Sequence, residues 1–345
     1  MDPERGMLLE VRQLKTYFDS DGEEIKAVDG VSFELNEGET LGLVGESGSG
    51  KSVTGLSILR LVPCPPGRMI GGEVLLNGVN LLAVSEEQMR QLRGKEIAMI
   101  FQEPMTSLNP VLTIGRQITE TIRKHLGLSR YDARRRAVEL LTQVQITDPE
   151  RRLSQYPHHF SGGMRQRVMF AMALACNPKV IIADEPTTAL DVTIQAQVLE
   201  LMSNLSTEFG VAMVLITHDL GVVARYSDRV SVMYAGRVVE SATTDELFAA
   251  PKHPYTLGLL SSVPRLDMAP GERLEPIKGN PPDLGNLPDG CSYSPRCPFA
   301  DDRCRAEEPT LRSIDGRHEA ACWKSDELTG ITRIVNRDVP QQVRV

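Results

Sequence analysis

The stretch Gly45-Glu46-Ser47-Gly48-Ser49-Gly50-Lys51-Ser52 constrains the fold more than any other part of the sequence. It fills the pattern G-x-x-x-x-G-K-[ST], in which glycines let the backbone approach phosphate oxygens closely. The apolar run before it predicts a buried strand, and the helical spacing of apolar residues over 53–61 predicts a helix after it. A helix N-terminus that follows such a loop binds anions. We therefore expect Lys51 to reach the β- and γ-phosphates of a nucleotide, and Ser52 to ligate Mg²⁺.

Further polar residues stand where predicted strands end. The continuous apolar run 180–183 predicts a central parallel strand, and Asp184 and Glu185 follow at its carboxyl end. Gln102 follows the strand predicted over 97–101, and His218 follows the one predicted over 211–217. Ligands bind at the carboxyl edge of open α/β sheets. The neutral amide of Gln102 is suited there to contact Mg²⁺ or an attacking water.

A second anion-binding helix end is predicted far from the first. Ser161 stands where a helix N-cap belongs, and Gly162 and Gly163 leave the first N–H groups of that helix uncovered. An aromatic residue at the end of the first predicted strand, over 8–18, could stack on a purine ring. We assign that role to Phe18, with Tyr17 as the substitute, although strand aromatics also pack on their own sheet.

Composition narrows the classes of function. The 345-residue chain has a formal net charge of -8 and an isoelectric point near 5.4, which argues against a nucleic-acid binder that relies on a basic surface. No apolar run approaches the ~18–20 residues that span a bilayer. Residues 1–5 show no signal-peptide pattern. The expectation is a cytosolic protein unless a partner holds it at a membrane.

The chain divides by pattern and composition into four parts. A nucleotide-binding domain is predicted over 1–250, with a charged helical subdomain at about 103–177. Prolines without periodicity mark a connector over 251–290. A four-cysteine module is predicted over 291–325, and a polar tail over 326–345. The Asn-Gly pair at 77–78 predicts a hairpin turn, and residues 85–88 have the spacing of a capping box.

Four of the six cysteines, Cys291, Cys297, Cys304 and Cys322, lie in the module. A reducing cytosol favours a metal over disulfides for such a cluster, and a metal would supply folding energy that a loop-rich segment lacks. The spacing has no C-x-x-C pair, so it is not the usual structural zinc pattern. An iron–sulfur cluster, zinc and unmetallated packing cysteines all remain open. His318 is either a substitute ligand or a solvated histidine in a charged turn.

These residues together resemble the nucleotide-binding domain of ABC transporters, in order and in spacing, over about residues 8–250. The resemblance implies an α/β P-loop NTPase fold of the ABC type, with an antiparallel β subdomain and a helical subdomain. It implies that Asp184 holds Mg²⁺, Glu185 polarises the attacking water and His218 contacts the γ-phosphate. Gln102 would be the coupling residue, and Asp191 would communicate across a dimer. In this family two subunits share each ATP, which lies between one phosphate loop and the partner's Ser-Gly-Gly turn.

Two further segments resemble the dipeptide and oligopeptide importers. They are Pro104-Met105-Thr106-Ser107-Leu108-Asn109-Pro110 and His253-Pro254-Tyr255-Thr256, the latter leading into the cysteine module. This resemblance implies an ATPase subunit on the cytoplasmic face of the membrane, paired with a copy or a paralogue of itself. Its other partners would be two membrane permeases and, indirectly, an extracytoplasmic binding protein. It also implies a [4Fe–4S] cluster, with Zn²⁺ as the alternative. Import of nickel or another small solute, and a non-transport ABC ATPase acting on DNA or the ribosome, are the competing hypotheses.

Overall fold

The structure is a computed structural model, and it describes residues 6–20, 22–103, 107–188, 190–262 and 276–330. Several sequence features fall outside these ranges. They are residues 1–5, residues 104–106 of the importer-like segment, Ala189, the proline-rich residues 263–275 and the tail beyond residue 330.

A four-stranded antiparallel sheet is built from the N-terminal part of the chain. It contains β1 (Met7–Ser20), β2 (Glu23–Asn36), β4 (Gly67–Leu76) and β5 (Val79–Asn80), in the order β2-β1-β4-β5. Asn77 and Gly78 join β4 to β5 with φ of 49° and 78°, because a two-residue hairpin turn of this hand needs left-handed backbone at both positions. The predicted antiparallel β subdomain is confirmed.

An eight-stranded sheet forms the centre of the molecule, in the order β11-β12-β10-β9-β3-β8-β7-β6. Its strands are β3 (Thr40–Val44), β6 (Ile97–Ile100), β7 (Val180–Asp184), β8 (Ala212–Thr217), β9 (Arg229–Tyr234), β10 (Arg237–Thr243), β11 (Arg312–Asp315) and β12 (His318–Ala320). Strand β3 is parallel to β8 and β9, and β7 is parallel to β6 and β8. Every residue of β7 and β8 is buried, which explains their continuous apolar sequences. The carboxyl ends of these parallel strands share one edge.

Helices cover the central sheet and form a separate helical region. The described helices are α1 (Lys51–Ile58), α2 (Glu86–Leu92), α3 (Ile114–Leu126), α4 (Arg130–Gln143), α5 (Pro149–Arg152), α6 (Gly162–Ala173), α7 (Val192–Phe209), α8 (Leu220–Tyr226), α9 (Thr244–Ala249), α10 (Pro254–Ser261) and α11 (Asp302–Ala306). The predicted capping box is present at the start of α2, where Ser85 and Gln88 bond to each other's backbone N–H. Apolar residues of α3, α4 and α6 share one buried core. Within the described ranges, no helix is both long and apolar enough to cross a bilayer.

The C-terminal module shares the core of the nucleotide-binding domain. Strand β12 pairs with β10 at Glu240↔Ala320, so the module's hairpin extends the central sheet. Helix α10 lies within the segment expected to be a connector, and its Tyr255 is fully buried. His318 is 4% exposed, and its Nε2 lies 2.7 Å from Glu240 Oε1. The expectation of a solvated His318 is wrong because the hairpin's pairing with β10 carries this side chain into the core.

Candidate nucleotide-binding site

The phosphate loop joins β3 to α1 and contains three glycines with positive φ. Gly45, Gly48 and Gly50 have φ of 153°, 82° and 100°. A Cβ on Gly45 would lie 2.2 Å from the Met233 carbonyl oxygen, and one on Gly50 would lie 2.2 Å from the Ala27 carbonyl oxygen. Both the backbone conformation and the strands packed behind the loop therefore require glycine at these two positions.

Lys51 is buried inside the loop. Its Nζ donates to the carbonyl oxygens of Gly45 at 2.8 Å and Glu46 at 2.9 Å, and it lies 3.3 Å from Ser49 Oγ. Burial lowers the pKa of Lys51, while the charges of Glu185 and Asp184 act in the opposite direction. The ammonium group thus lies among acceptors that a bound phosphate could replace. Ser47 and Gly48, at the tip of the loop, are exposed.

Ser52 and Asp184 bring two oxygen donors together at the edge of the sheet. Ser52 Oγ donates to Asp184 Oδ1 at 2.9 Å, and Asp184 is 5% exposed at the end of β7. Burial raises the pKa of Asp184, and the hydrogen bond from Ser52 opposes that shift. A hydroxyl and a carboxylate are hard oxygen ligands that Mg²⁺ accepts, alongside phosphate oxygens and water. The pair would supply two oxygen ligands to a Mg²⁺ ion.

Glu185 is the centre of a hydrogen-bonded group formed by three separate segments. Its Oε2 accepts from Gln102 Nε2 at 2.8 Å and from Thr188 Oγ1 at 2.9 Å, and its Oε1 lies 3.0 Å from His218 Nδ1. Its backbone N–H donates to the Ile216 carbonyl at 2.9 Å, and its φ is 43°. Burial alone would raise the pKa of Glu185, but the bonds from His218 and Thr188 bring it below the ordinary value. The carboxylate is therefore ionised at neutral pH.

The Ser-Gly-Gly turn belongs to a different part of the surface. Ser161 caps α6 by accepting from the Met164 N–H at 3.4 Å, as its sequence position predicts. The turn lines a pocket with Leu190, Asp191 and Ile194, and no phosphate-loop residue lines it. A Cβ on Gly163 would lie 2.6 Å from Ile194 Cγ2. Within one chain, Ser161, Gly162 and Gly163 are thus not brought to Lys51.

Three other predicted site residues have clear local settings. Asp191 caps α7 through a 3.0 Å bond from the Ile194 N–H to its Oδ1. Tyr17 is buried, and its hydroxyl donates to Asp29 Oδ1 at 2.6 Å, so its ring offers no free face at the surface. Phe18 is half-buried at the end of β1 and stays a candidate for purine stacking.

A groove beside Gln102 has a volume of about 540 Å³. Its lining includes Phe101, Leu108, Lys124 and His125, and Phe101 is 40% exposed there. The groove therefore lies between strand β6, with the residue Phe101 that follows it, and helix α3. It offers an apolar and partly basic surface whose lining residue Phe101 directly precedes Gln102, a member of the hydrogen-bonded group around Glu185.

The four module cysteines lie around one narrow pocket. Cys291, Cys297, Cys304 and Cys322 line it together, and all four are free thiols. Burial raises the pKa of Cys291 to about 11 and that of Cys322 to about 12. As placed, no group of three or more His, Cys, Asp or Glu side chains in the described part of the chain could hold a metal ion. Of the remaining cysteines, Cys64 is exposed and Cys176 is buried elsewhere.

Sequence patterns did not indicate three residues that contact this site. Thr188 could have been found, because it lies three residues after Glu185 on the same turn. Tyr255 accepts a hydrogen bond from the Glu46 N–H, and Arg296 forms an ion pair with the Glu46 carboxylate. No local pattern signals either contact, since both partners lie more than 200 positions away along the chain.

Comparison with known proteins identifies the family. Residues 28–188 match the ABC transporter family, and residues 239–304 match the oligopeptide/dipeptide transporter C-terminal region. The chain is 54% identical to the oligopeptide transport ATP-binding protein OppD of Bacillus subtilis, over 92% of this chain and 88% of that protein. The chain belongs to the ATP-binding subunits of oligopeptide and dipeptide ABC transporters. Its role as a transport ATPase rather than a non-transport ABC ATPase is thereby confirmed.

Other relatives agree with this assignment. The dipeptide transport ATP-binding protein DppD of Bacillus subtilis is 50% identical over 93% of this chain and 95% of its own length. Among solved structures, the dimer of a bacterial ABC transporter cassette matches with a TM-score of 0.61 and 29% identity, over 69% of this chain and 99% of that one. The predicted fold class is confirmed, and this chain is the ATPase subunit of a peptide importer complex.

Proposed function

We propose that this chain hydrolyses ATP with Glu185 as the group that accepts a proton from the attacking water, and that hydrolysis energises import of di- or oligopeptides. The observation that carries the proposal is the group around Glu185. Its ionised carboxylate is fixed by Gln102, Thr188 and His218 at the same sheet edge as the phosphate loop. A carboxylate held in one orientation can align a water for in-line attack.

The neighbouring residues would have the other roles in nucleotide binding and hydrolysis. Lys51 would exchange the Gly45 and Glu46 carbonyl oxygens for oxygens of the β- and γ-phosphates, and so balance charge that develops in the transition state. Ser52 and Asp184 would hold Mg²⁺, which polarises the phosphoryl group when bound. His218 would orient Glu185 through Nδ1 while its other ring nitrogen contacts the γ-phosphate. Phe18 would stack on the purine ring.

A second ATPase subunit would complete each site. Ser161, Gly162 and Gly163 lie in a pocket that the chain's own phosphate loop does not line. The exposed N–H groups of α6 could therefore face the polyphosphate held by a partner, with Asp191 beside them. The bacterial ABC transporter cassette whose solved structure matches this chain forms a dimer in that structure. ATP would close such a pair, and loss of the γ-phosphate would let it open. The partner would be a copy or a paralogue of this chain.

The groove beside Gln102 would receive a helix of a membrane permease. Its lining residue Phe101 directly precedes Gln102, which bonds to Glu185, so a helix seated in the groove could respond to hydrolysis. Two permease subunits, fed by an extracytoplasmic binding protein, would place the ATPase on the cytoplasmic face of the membrane.

We further propose that the four module cysteines hold a [4Fe–4S] cluster. What supports this is that all four thiols line one narrow pocket, and that Cys291, Cys297 and Cys304 lie in the segment matching the importer C-terminal region. Four thiolates are the usual ligands of such clusters, which would add folding energy to the module. Anaerobic purification should give a brown protein with iron and sulfide bound. Cys297→Ser should abolish the colour, whereas Cys64→Ser, at an exposed cysteine outside the module, should not. Bound zinc, or a colourless protein without metal, would refute the cluster.

Transport can be tested with the intact complex. In proteoliposomes, peptides presented by the binding protein should stimulate phosphate release and accumulate inside. Nickel or another small solute should do neither. Stimulation by such a solute in the absence of any response to peptides would contradict the substrate assignment.

A further inference from the structure

The C-terminal module reaches the phosphate loop through a partly buried ion pair, in which the Glu46 side chain is 27% exposed. Arg296 Nη1 lies 2.6 Å from Glu46 Oε2, and Nη2 lies 3.0 Å from Oε1. The guanidinium and the carboxylate therefore meet in the two-point arrangement that makes such pairs strong and directional. Glu46 is the second residue of the phosphate loop, and Arg296 is separated from it by 250 positions.

Arg296 is held from several sides. Its side chain is 5% exposed, and its Nε donates to the Lys278 carbonyl at 3.1 Å. Its guanidinium carbon lies 5.9 Å from the ring centre of Tyr234 and 6.0 Å from that of Tyr293. A flexible surface arginine would contribute little to a neighbour's geometry. A buried and surrounded arginine instead fixes whatever it binds.

The backbone of Glu46 is fixed as well. Its N–H donates to the Tyr255 hydroxyl at 2.7 Å, and its carbonyl oxygen accepts from Lys51 Nζ at 2.9 Å. Tyr255 is fully buried, with its ring centre 4.6 Å from that of Tyr234. Every polar group of Glu46 thus has a partner. Two of those partners, Tyr255 and Arg296, come from the chain beyond residue 250.

The charge of Glu46 gives this arrangement a consequence for ATP. A free carboxylate in the phosphate loop would repel a polyphosphate, and the repulsion between close, partly buried charges is screened weakly. Arg296 cancels that charge and, with Tyr255, sets the direction of the carbonyl group that Lys51 must leave to reach a phosphate. We propose that Arg296 and Tyr255 are positioning residues for ATP, so that ATP affinity depends on how the chain beyond residue 250 docks against the phosphate loop.

The test compares ATP binding with turnover in four variants of the full chain. Binding of a fluorescent ATP analogue with Mg²⁺ gives Kd, and the importer complex gives KM and kcat. Arg296→Gln leaves the Glu46 carboxylate unpaired, so Kd and KM should rise about tenfold while kcat stays within about twofold. Tyr255→Phe removes only one hydroxyl and should raise Kd about threefold.

Rescue separates this role from a merely structural one. Adding Glu46→Gln to Arg296→Gln removes the unpaired charge, so Kd should return to within about threefold of the wild type. Arg305→Gln is the matched control: Arg305 belongs to the same module, but its side chain is 62% exposed and pairs with Asp302, so Kd should not change. The melting temperature of each nucleotide-free variant is measured as well, and Kd values are compared only among variants with the same melting temperature.

Two results would overturn the proposal. One is an unchanged Kd in Arg296→Gln. The other is a double variant that binds ATP no better than Arg296→Gln alone, which would mean that the arginine serves only to pack the module. If Arg296→Gln does not fold, Arg296→Lys replaces it, since lysine keeps the charge and loses the two-point geometry. Its Kd should rise about threefold, and a wild-type Kd would refute the positioning role.

Discussion

Replacing Glu185 with glutamine tests the central proposal, because it changes the chemistry of one side chain while keeping its shape. An amide oxygen at the position of Oε2 can still accept from Gln102 and Thr188, which lie 2.8 Å and 2.9 Å away. The amide nitrogen would then face His218 Nδ1, which can accept a hydrogen bond in one neutral tautomer. The hydrogen-bonded group should therefore survive the substitution.

The expected magnitudes follow from these contacts. Bonds to a charged acceptor are about twice as strong as neutral ones, and a neutral side chain costs less to bury, so the free energy of unfolding should change by less than about 2 kcal/mol. The proton acceptor is lost, which should lower kcat by about 10²- to 10⁴-fold, or roughly 3 to 5 kcal/mol. Lys51, Ser52 and Asp184 are untouched, so ATP binding should be retained.

The assay is phosphate release by the purified importer complex in proteoliposomes, with ATP binding measured in parallel. Thr188→Ala is the matched control, since it removes one bond to Oε2 and leaves the carboxylate; we expect at most about a tenfold loss of kcat. A Glu185→Gln complex with nearly normal ATPase activity would refute the role of Glu185. Loss of ATP binding together with turnover would instead place Glu185 in nucleotide binding.

Three further outcomes are expected. Lys51→Ala should weaken both ATP binding and turnover, because it removes the ammonium group whose Nζ lies 2.8 Å and 2.9 Å from the Gly45 and Glu46 carbonyl oxygens. ATP titration and phosphate release test this prediction, and an unchanged ATP affinity would contradict it. Gly50→Ala should destabilise the chain by more than about 2 kcal/mol in urea unfolding, because the added Cβ would meet the Ala27 carbonyl oxygen. Gly48→Ala should cost only about 1 kcal/mol, because the space around Gly48 is open; equal losses in the two variants would refute the packing argument. The pKa of Glu185 is lower in the folded chain than its ordinary value of 4.5, so the ionised carboxylate stabilises the fold; this contribution should be full at pH 7 and should fall as the pH drops below 4.5. The difference in unfolding free energy between wild type and Glu185→Gln should therefore be smaller at pH 4 than at pH 7, and a larger difference at pH 4 would contradict the sign.

Much of the nucleotide-binding fold could be predicted because its determinants are close together in the sequence. The glycines of the phosphate loop need positive φ, and that need is set by neighbouring residues. The strands β7 and β8 are buried on both faces, so they appear as unbroken apolar runs. Asp184 and Glu185 follow directly, and the parallel arrangement of these strands takes them to one edge.

Other features depend on how distant segments meet. His318 was expected to be solvated or to ligate a metal, yet β12 pairs with β10 and brings it to Glu240. The segment expected to be a connector contains α10, whose Tyr255 bonds to the phosphate loop. Neither contact has a periodic pattern in the sequence.

The sequence by itself determined the phosphate loop and the strand ends that carry its polar residues, because these rest on backbone preferences and burial patterns within a few residues. It also indicated the ABC family, through the resemblance of several spaced motifs to those of that family. Only the tertiary structure decided that Arg296 reaches Glu46 and that four spaced cysteines line one pocket. Such contacts depend on the path of the whole chain. The free energy that brings the two distant segments together comes from burial of the apolar core they share, and not from the contacting residues themselves.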